Sequence, residues 1–281
     1  MAIVGVIGSG TMGKGVAQHF AQYNHSVILV DISEDILQES IKHIEKSIRV
    51  SRLFSQRANL EAPEVICSKI KTTTHLEDLK DADFIVENIS EDIEAKQCLY
   101  SKIDSICTEK CIFMVNTSCI SITKISGFTK RAEKVLGTHF MNPVDKIHTV
   151  ETIMGFHTTE QTLDQVTQFL KSVGKRVVLV QDSVGFVSNR ISHLMMNEAA
   201  FIVQDRVANA QAVDDIFRSC YGHKMGPLET ADLIGLDTVV NSLRILYDSF
   251  QDTKFRCCPL LTKMVNAGLL GRKTGKGFYE Y

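Results

Sequence analysis

The sequence predicts a doubly wound α/β domain followed by an all-helical one, and three observations carry that prediction. A glycine-rich turn, Gly8-Ser9-Gly10-Thr11-Met12-Gly13, follows the apolar run Ile3 to Ile7 and opens a helical period. Short apolar runs then alternate with amphipathic stretches, as parallel strands joined by crossover helices do. Past Asp182 the β-branched runs stop, and helical spacing continues to Gly268. Strand, glycine turn and helix in that order make the first domain of the Rossmann type.

Ile3 to Ile7 is apolar throughout, as a strand covered on both faces requires. Met12, Val16 and Phe20 recur every four residues and mark the first helix, and Ser26 to Val30 is the second strand. The interval from Ile32 to Ser68 is long for one crossover. It reads as an extended helix from Glu34 to Phe54 followed by a short helical piece. Phe84 to Glu87, Ile112 to Val115, Val135 to His139 and Val177 to Gln181 read as further buried parallel strands. Leu163 with Thr167, and Val166 with Leu170, mark the helix before the last of them. Beyond a boundary near Asp182 to Val184, helical spacing runs through Ile191, Leu194, Ala199 and Ile202, then Val213 to Cys220, then Leu233 to Phe250. The domains expected are 1–183, binding a dinucleotide, and 184–281, helical.

A chain of 281 residues that is 44% hydrophobic and 23% charged, with 17 glycines and 4 prolines, has the usage of a globular protein of about two domains. A net charge of −2 provides no field to gather nucleic acid or an anionic membrane. No apolar stretch approaches the roughly 18 residues that span a bilayer. No secretory pattern precedes the first strand, which predicts the reducing cytoplasm. The eight cysteines lack zinc spacing and read as buried thiols, with no metal site expected.

In the glycine turn, Gly8 permits the tight bend, Gly10 lets a pyrophosphate approach backbone N–H groups, and Gly13 allows close packing of helix on strand. Asp31 ends the second strand 18 residues after Gly13, where a carboxylate can accept ribose hydroxyls and repel a 2′-phosphate. NAD is therefore expected over NADP. Ligands in such sheets lie beyond the carboxyl ends of the strands, which here offer Glu87-Asn88, Asn116-Thr117-Ser118 and His139, with Glu151 twelve residues further on. An imidazole can take a hydroxyl proton as hydride leaves the same carbon, and a carboxylate would hold its tautomer. Spacing alone leaves His139 and Glu151 open to structural readings.

These turns, together with His139-Phe140-Met141-Asn142-Pro143, Asp182 to Arg190, Gly226-Pro227-Leu228-Glu229 with Asp232 to Asp237, and Gly271 to Tyr281, resemble the short 3-hydroxyacyl-CoA dehydrogenases of the 3-hydroxybutyryl-CoA type. The resemblance runs nearly end to end. It implies NAD, a helical domain that pairs two copies, a cleft between the domains, and reversible oxidation of an (S)-3-hydroxyacyl thioester. It makes His139 the general acid/base and Glu151 its partner. Ser118 and Asn189 would hydrogen-bond the reacting oxygen, and Asn142 would hold the loop carrying His139. Cofactor contacts would come from Gly8, Gly10, Thr11, Met12, Gly13, Asp31, Asn116, Glu91 and Lys96, the last two at the nicotinamide ribose.

The chain departs from the family pattern in places. The stretch from Arg49 to Cys67 holds Arg49, Arg52 and Arg57 but no lysine for the phosphates of coenzyme A. Asp145 to Thr149 is polar, Cys119 stands for a second serine, and Val184 for a proline. Such changes resemble relatives acting on an acyl carrier protein to make substituted-malonyl extender units for polyketide biosynthesis. Coenzyme A and a carrier protein therefore both stand as carriers, and a catalytically silent NAD-binding regulator is the alternative of another class.

Overall fold

The computed structural model describes residues 1–54 and 61–281, so Arg57 lies outside the described residues. The chain divides into two units, Met1–Asp182 and Ser183–Tyr281. In the first, β1 (Ile3–Ile7), α1 (Thr11–Gln22), β2 (Ser26–Val30), α2 (Glu34–Phe54), α3 (Pro63–Cys67) and β3 (Ile70–Thr73) form one winding. The return winding comprises β4 (Phe84–Glu87), α4 (Ile93–Ile106), β5 (Ile112–Val115), α5 (Ile122–Ser126), β6 (Val135–Phe140), β7 (Thr149–Met154), α6 (Glu160–Ser172) and β8 (Arg176–Gln181). The strands of the described residues make one sheet in the order β3-β2-β1-β4-β5-β6-β7-β8. The order reverses at β1, between β2 and β4, and such a switch point opens a crevice at the carboxyl ends of the strands.

Apolar residues drive the assembly. Phe20 on α1 stacks on Phe169 of α6 at 5.2 Å and meets Phe140 of β6 edge-on at 6.2 Å, while Phe84 of β4 lies 4.1 Å from Phe169. These rings tie α1 and α6 to the same face of the sheet. Three helices of this unit start on a side chain that accepts a backbone N–H: Asp92 from Ala95 on α4, Ser121 from Lys124 on α5, and Thr159 from Thr162 on α6.

The second unit is helical: α7 (Ser188–Gln204), α8 (Ala210–Tyr221), α9 (Pro227–Ile234), α10 (Leu236–Phe250) and α11 (Pro259–Asn266). Its core gathers Met196, Val213, Leu228, Leu236, Val240 and Leu261. Two buried carboxylates organise it. Asp214 accepts the backbone N–H groups of Leu228 and Glu229 at the start of α9 and the hydroxyl of Tyr279. Asp232 accepts from Phe278 N, Tyr279 N and the Tyr281 hydroxyl, so it pins the C-terminal Gly271 to Tyr281 segment.

Three expectations are corrected. Thr149–Met154 is a strand that sequence periodicity had not marked, and it runs antiparallel to β6 within a sheet whose other pairings are parallel. Val177 to Gln181 is not a buried strand: β8 ends the sheet, pairs only on the β7 side, and exposes Val178 and Leu179. Leu233 to Phe250 is broken at Gly235, whose φ of +104° ends α9 and starts α10. No helix of the described residues is long and apolar enough to cross a membrane.

Candidate functional site

The glycine turn sits at the switch point. Gly8 has φ +89°, a conformation that glycine adopts without strain, and a Cβ there would stand 2.8 Å from the carbonyl oxygen of Asn88. A Cβ at Gly13 would stand 1.7 Å from Gly8 O, so only glycine lets α1 approach β1 this closely. At Gly10 the same test meets nothing within 4 Å, and no side chain caps the N-terminus of α1. The helix's first N–H groups thus face open space suited to an anion. Thr11 is exposed at this turn, whereas the Met12 side chain packs toward the core and leaves its backbone for any contact.

Asp31 closes β2 beside this turn. Its Oδ2 accepts from Ser9 N at 2.6 Å and Ser9 Oγ at 2.7 Å, and its Oδ1 from Ile32 N. The carboxylate is held in place, and it lines a cavity of about 700 Å³ with Gly8, Gly10, Ile32, Leu76, Leu99 and Lys102. Apolar walls, an anion-ready helix end and a fixed carboxylate fit a dinucleotide with free ribose hydroxyls.

Beyond β5 and β6 the sheet assembles a second constellation. The antiparallel register sets His139 directly opposite Glu151, and Nδ1 lies 3.1 Å from Oε2. With the carboxylate accepting from Nδ1–H, a neutral ring carries its lone pair at Nε2. That atom is 3.3 Å from Ser118 Oγ. Both ring and carboxylate are buried, at 7% and 6% exposure, which shields the pair from bulk water. Asn116 spans the strand ends: its amide donates to Asn88 Oδ1 at 2.6 Å and its Oδ1 accepts from Phe140 N at 3.1 Å. Glu91 accepts from Thr117 Oγ1 at 2.6 Å and from the backbone N–H of Ser118, so it holds the turn that presents Ser118.

Two expected roles change. Lys96 was placed at the nicotinamide ribose, but it is fully buried, and its Nζ lies 2.7 Å from both oxygens of the equally buried Glu87. It neutralises that carboxylate rather than presenting an ammonium to the crevice. Burial pushes the Glu87 carboxyl up and Lys96 pulls it back; Tyr100, donating to Glu87 at 3.2 Å, is pushed well up by burial. Asn142, expected to hold the loop after His139, is exposed. Asn116 fixes the near end of that loop, and Lys175 holds its middle through the carbonyl oxygens of Val144 and Ile147. Nothing in the sequence singled out Lys175, which stands beside Arg176 at the start of an edge strand. Asn189 is the second residue of α7 in the helical unit, and its carbonyl lies 2.9 Å from His193 Nδ1. Asp182 accepts from Ser121 Oγ, Ile122 N and Thr123 N and so caps α5. Among the described residues no group of His, Cys, Asp and Glu could hold a metal ion.

Residues 3–183 match the family model "3-hydroxyacyl-CoA dehydrogenase, NAD binding domain", and residues 185–281 match "3-hydroxyacyl-CoA dehydrogenase, C-terminal domain". The chain is 43% identical over 277 residues to a 3-hydroxybutyryl-CoA dehydrogenase of Clostridioides difficile, covering 98% of each. It is 39% identical over 276 residues to a probable 3-hydroxybutyryl-CoA dehydrogenase of Bacillus subtilis, covering 98% of this chain and 96% of that one. The crystal structure of (S)-3-hydroxybutyryl-CoA dehydrogenase from Ralstonia eutropha is similar at a TM-score of 0.93 and 37% identity, over 100% of this chain and 99% of that one. With the dinucleotide turn, the strand-end histidine and carboxylate, and both halves of the sequence in agreement, the chain belongs to the 3-hydroxyacyl-CoA dehydrogenase family.

Proposed function

We propose that this NAD-dependent dehydrogenase interconverts short-chain (S)-3-hydroxyacyl-CoA and 3-ketoacyl-CoA, with His139 as the acid/base. The observation that carries the reading is the string Ser118 Oγ, His139 Nε2, His139 Nδ1, Glu151 Oε2, with successive contacts of 3.3 and 3.1 Å across the ring. NAD, when bound, supplies the hydride acceptor. Gly8, Gly10 and Gly13, with the first N–H groups of α1, would hold its pyrophosphate, and Asp31 its ribose. As the substrate's C3–H bond transfers its electron pair as hydride, His139 Nε2 takes the hydroxyl proton and Glu151 stabilises the imidazolium; the reverse transfer returns the proton to the carbonyl oxygen. Ser118, whose hydroxyl can turn from Nε2 as the ring takes the proton, donates to the oxygen while it carries developing negative charge. Asn189 is proposed as a second donor on the family resemblance.

The division of labour proposed is 1–183 for NAD and 184–281 for substrate contacts and pairing of two copies. Pairing is supported by exposed apolar side chains in the helical unit, including Ile191, Val207, Ile216 and Tyr221. A reducing, cytoplasmic setting is supported by the unpaired thiols Cys107, Cys111, Cys257 and Cys258. The relatives' names carry coenzyme A and dehydrogenase; a carrier-protein substrate and a silent sensor find no support there. The test is kcat/KM for NADH-dependent reduction of the acetoacetyl group on coenzyme A, on an acyl carrier protein and on N-acetylcysteamine. Preference for coenzyme A is expected. Preference for the carrier protein would overturn the substrate assignment, and no turnover with any of the three would overturn the enzyme.

A further inference from the structure

The chain between β6 and β7, residues 141–148, is the direct connection between His139 and Glu151. Its turn is built on Pro143 O, which accepts from Lys146 N and Ile147 N, and its far end is tied by Arg176 N to His148 O at 2.7 Å. Val144 is 2% exposed and packs on α1 so closely that a Cβ on Gly15 would stand 3.0 Å from its methyl. Lys175 enters this connection from behind. It is 3% exposed, its own N–H is fixed to Leu170 O at the end of α6, and its Nζ donates to Val144 O and, at 2.8 Å, to Ile147 O.

A buried ammonium facing carbonyl dipoles is a costly way to hold a loop. Taking the charge out of water is only partly offset by two hydrogen bonds, and an apolar side chain of similar size would often stabilise the fold more. The charge-assisted bonds supply direction instead: two acceptors three residues apart fix both the height and the tilt of the turn. Burial pushes the Lys175 amine down to about 8, and Asp145, a charged group on the loop itself, pulls it back.

We infer that Lys175 is a positioning residue for the reaction: a buried cation that clamps the connection between His139 and Glu151 and thereby sets the geometry of the dyad against the nucleotide helix. The inference rests on the proposed function and deepens it, since the residue is buried and its ammonium faces the carbonyls of the connection. Lys175→Met removes both hydrogen bonds while keeping the stem. Lys175→Gln keeps donors without charge, and Arg131→Met is the matched control. Arg131 is a buried cation against the end of α4, bonded to the carbonyls of Asp104, Cys107 and Thr108 and paired with the Asp104 carboxylate, away from the β6–β7 connection.

The experiment measures NADH affinity by fluorescence, kcat and KM for acetoacetyl-CoA, and amide exchange of residues 144–148 in all four proteins. Expected for Lys175→Met is a fall in kcat of roughly tenfold to a hundredfold, KM and NADH affinity within about twofold, and faster exchange in 144–148. Lys175→Gln should fall between, and Arg131→Met should keep the wild-type kcat. A folded Lys175→Met with unchanged kcat and loop exchange overturns the inference, and so does failure of both Lys175 variants to fold, which would make the residue a requirement of the fold alone. Wild-type enzyme inactive on every thioester would defeat the proposed function instead, while the exchange of 144–148 would still read the clamp.

Discussion

His139 and Glu151 show how little freedom the site leaves its side chains. The ring is oriented by a carboxylate that strand pairing places opposite it, so the tautomer is fixed by the sheet rather than by a mobile loop. Glu151→Gln should therefore lower the rate of ketone reduction, because the imidazolium loses its stabilising charge. A rate equal to wild type would count against the pairing. Asp31 is held by Ser9 and Ile32 at the mouth of a cavity that Lys102 also lines. Asp31→Ala should weaken NADH and narrow the preference over NADPH, since the repelling carboxylate is gone and a cation remains within the cavity; the ratio of the two KM values measures this. Both residues were legible in the sequence, one from its distance to the glycine turn and the other through the family resemblance. Lys96 and Asn142 entered through the resemblance, which transmits which residue recurs, not what surrounds it: Lys96 is buried against Glu87, and Asn142 is exposed.

Elements were legible where one rule dominated. Strands covered on both faces announced themselves as apolar runs, and the helix from Glu34 was read from its first residue. The strand Thr149–Met154 was not, because its threonines and glutamate dilute the apolar signal, although Thr149, Val150, Thr152 and Ile153 are all β-branched and could have betrayed it. That omission mattered, since the antiparallel β6–β7 pairing is what brings Glu151 to His139. At the opposite end of the site, α1 and β1 meet at Gly13 with no room for a methyl group. Gly13→Ala should cost about 1–3 kcal/mol of stability and a measurable loss of NADH affinity, because the helix must retreat from the turn it presents. Denaturant titration and fluorescence titration check the two together, and a variant as stable and as tight-binding as wild type would show that the close approach is incidental.

Over the whole molecule, the division into a sheet unit and a helical unit was visible as a change of periodicity after Asp182, while the reason for the glycine-rich C-terminal segment was not. That segment recurs as a motif, yet its role lies in long-range bonds from Asp232 and Asp214, which no local pattern reveals. The stability of the molecule also carries the mark of its buried lysine. With a folded value near 8 against the ordinary 10.5, Lys175 holds fewer protons folded than unfolded between those values, so stability rises with pH across that window. Relative to Lys175→Met, wild type should therefore gain in melting temperature between about pH 8 and 10.5 and gain nothing below it; a constant difference would mean that the amine is not desolvated. Proton transfer by His139 is the step on which the proposed dehydrogenation depends. Single-turnover reduction of acetoacetyl-CoA by enzyme-bound NADH in wild type and His139→Gln, with NADH affinity measured alongside, isolates that step. Equal NADH binding and a rate lower by about 10²–10⁴ in the variant are expected, whereas equal rates would show that His139 does not carry the proton.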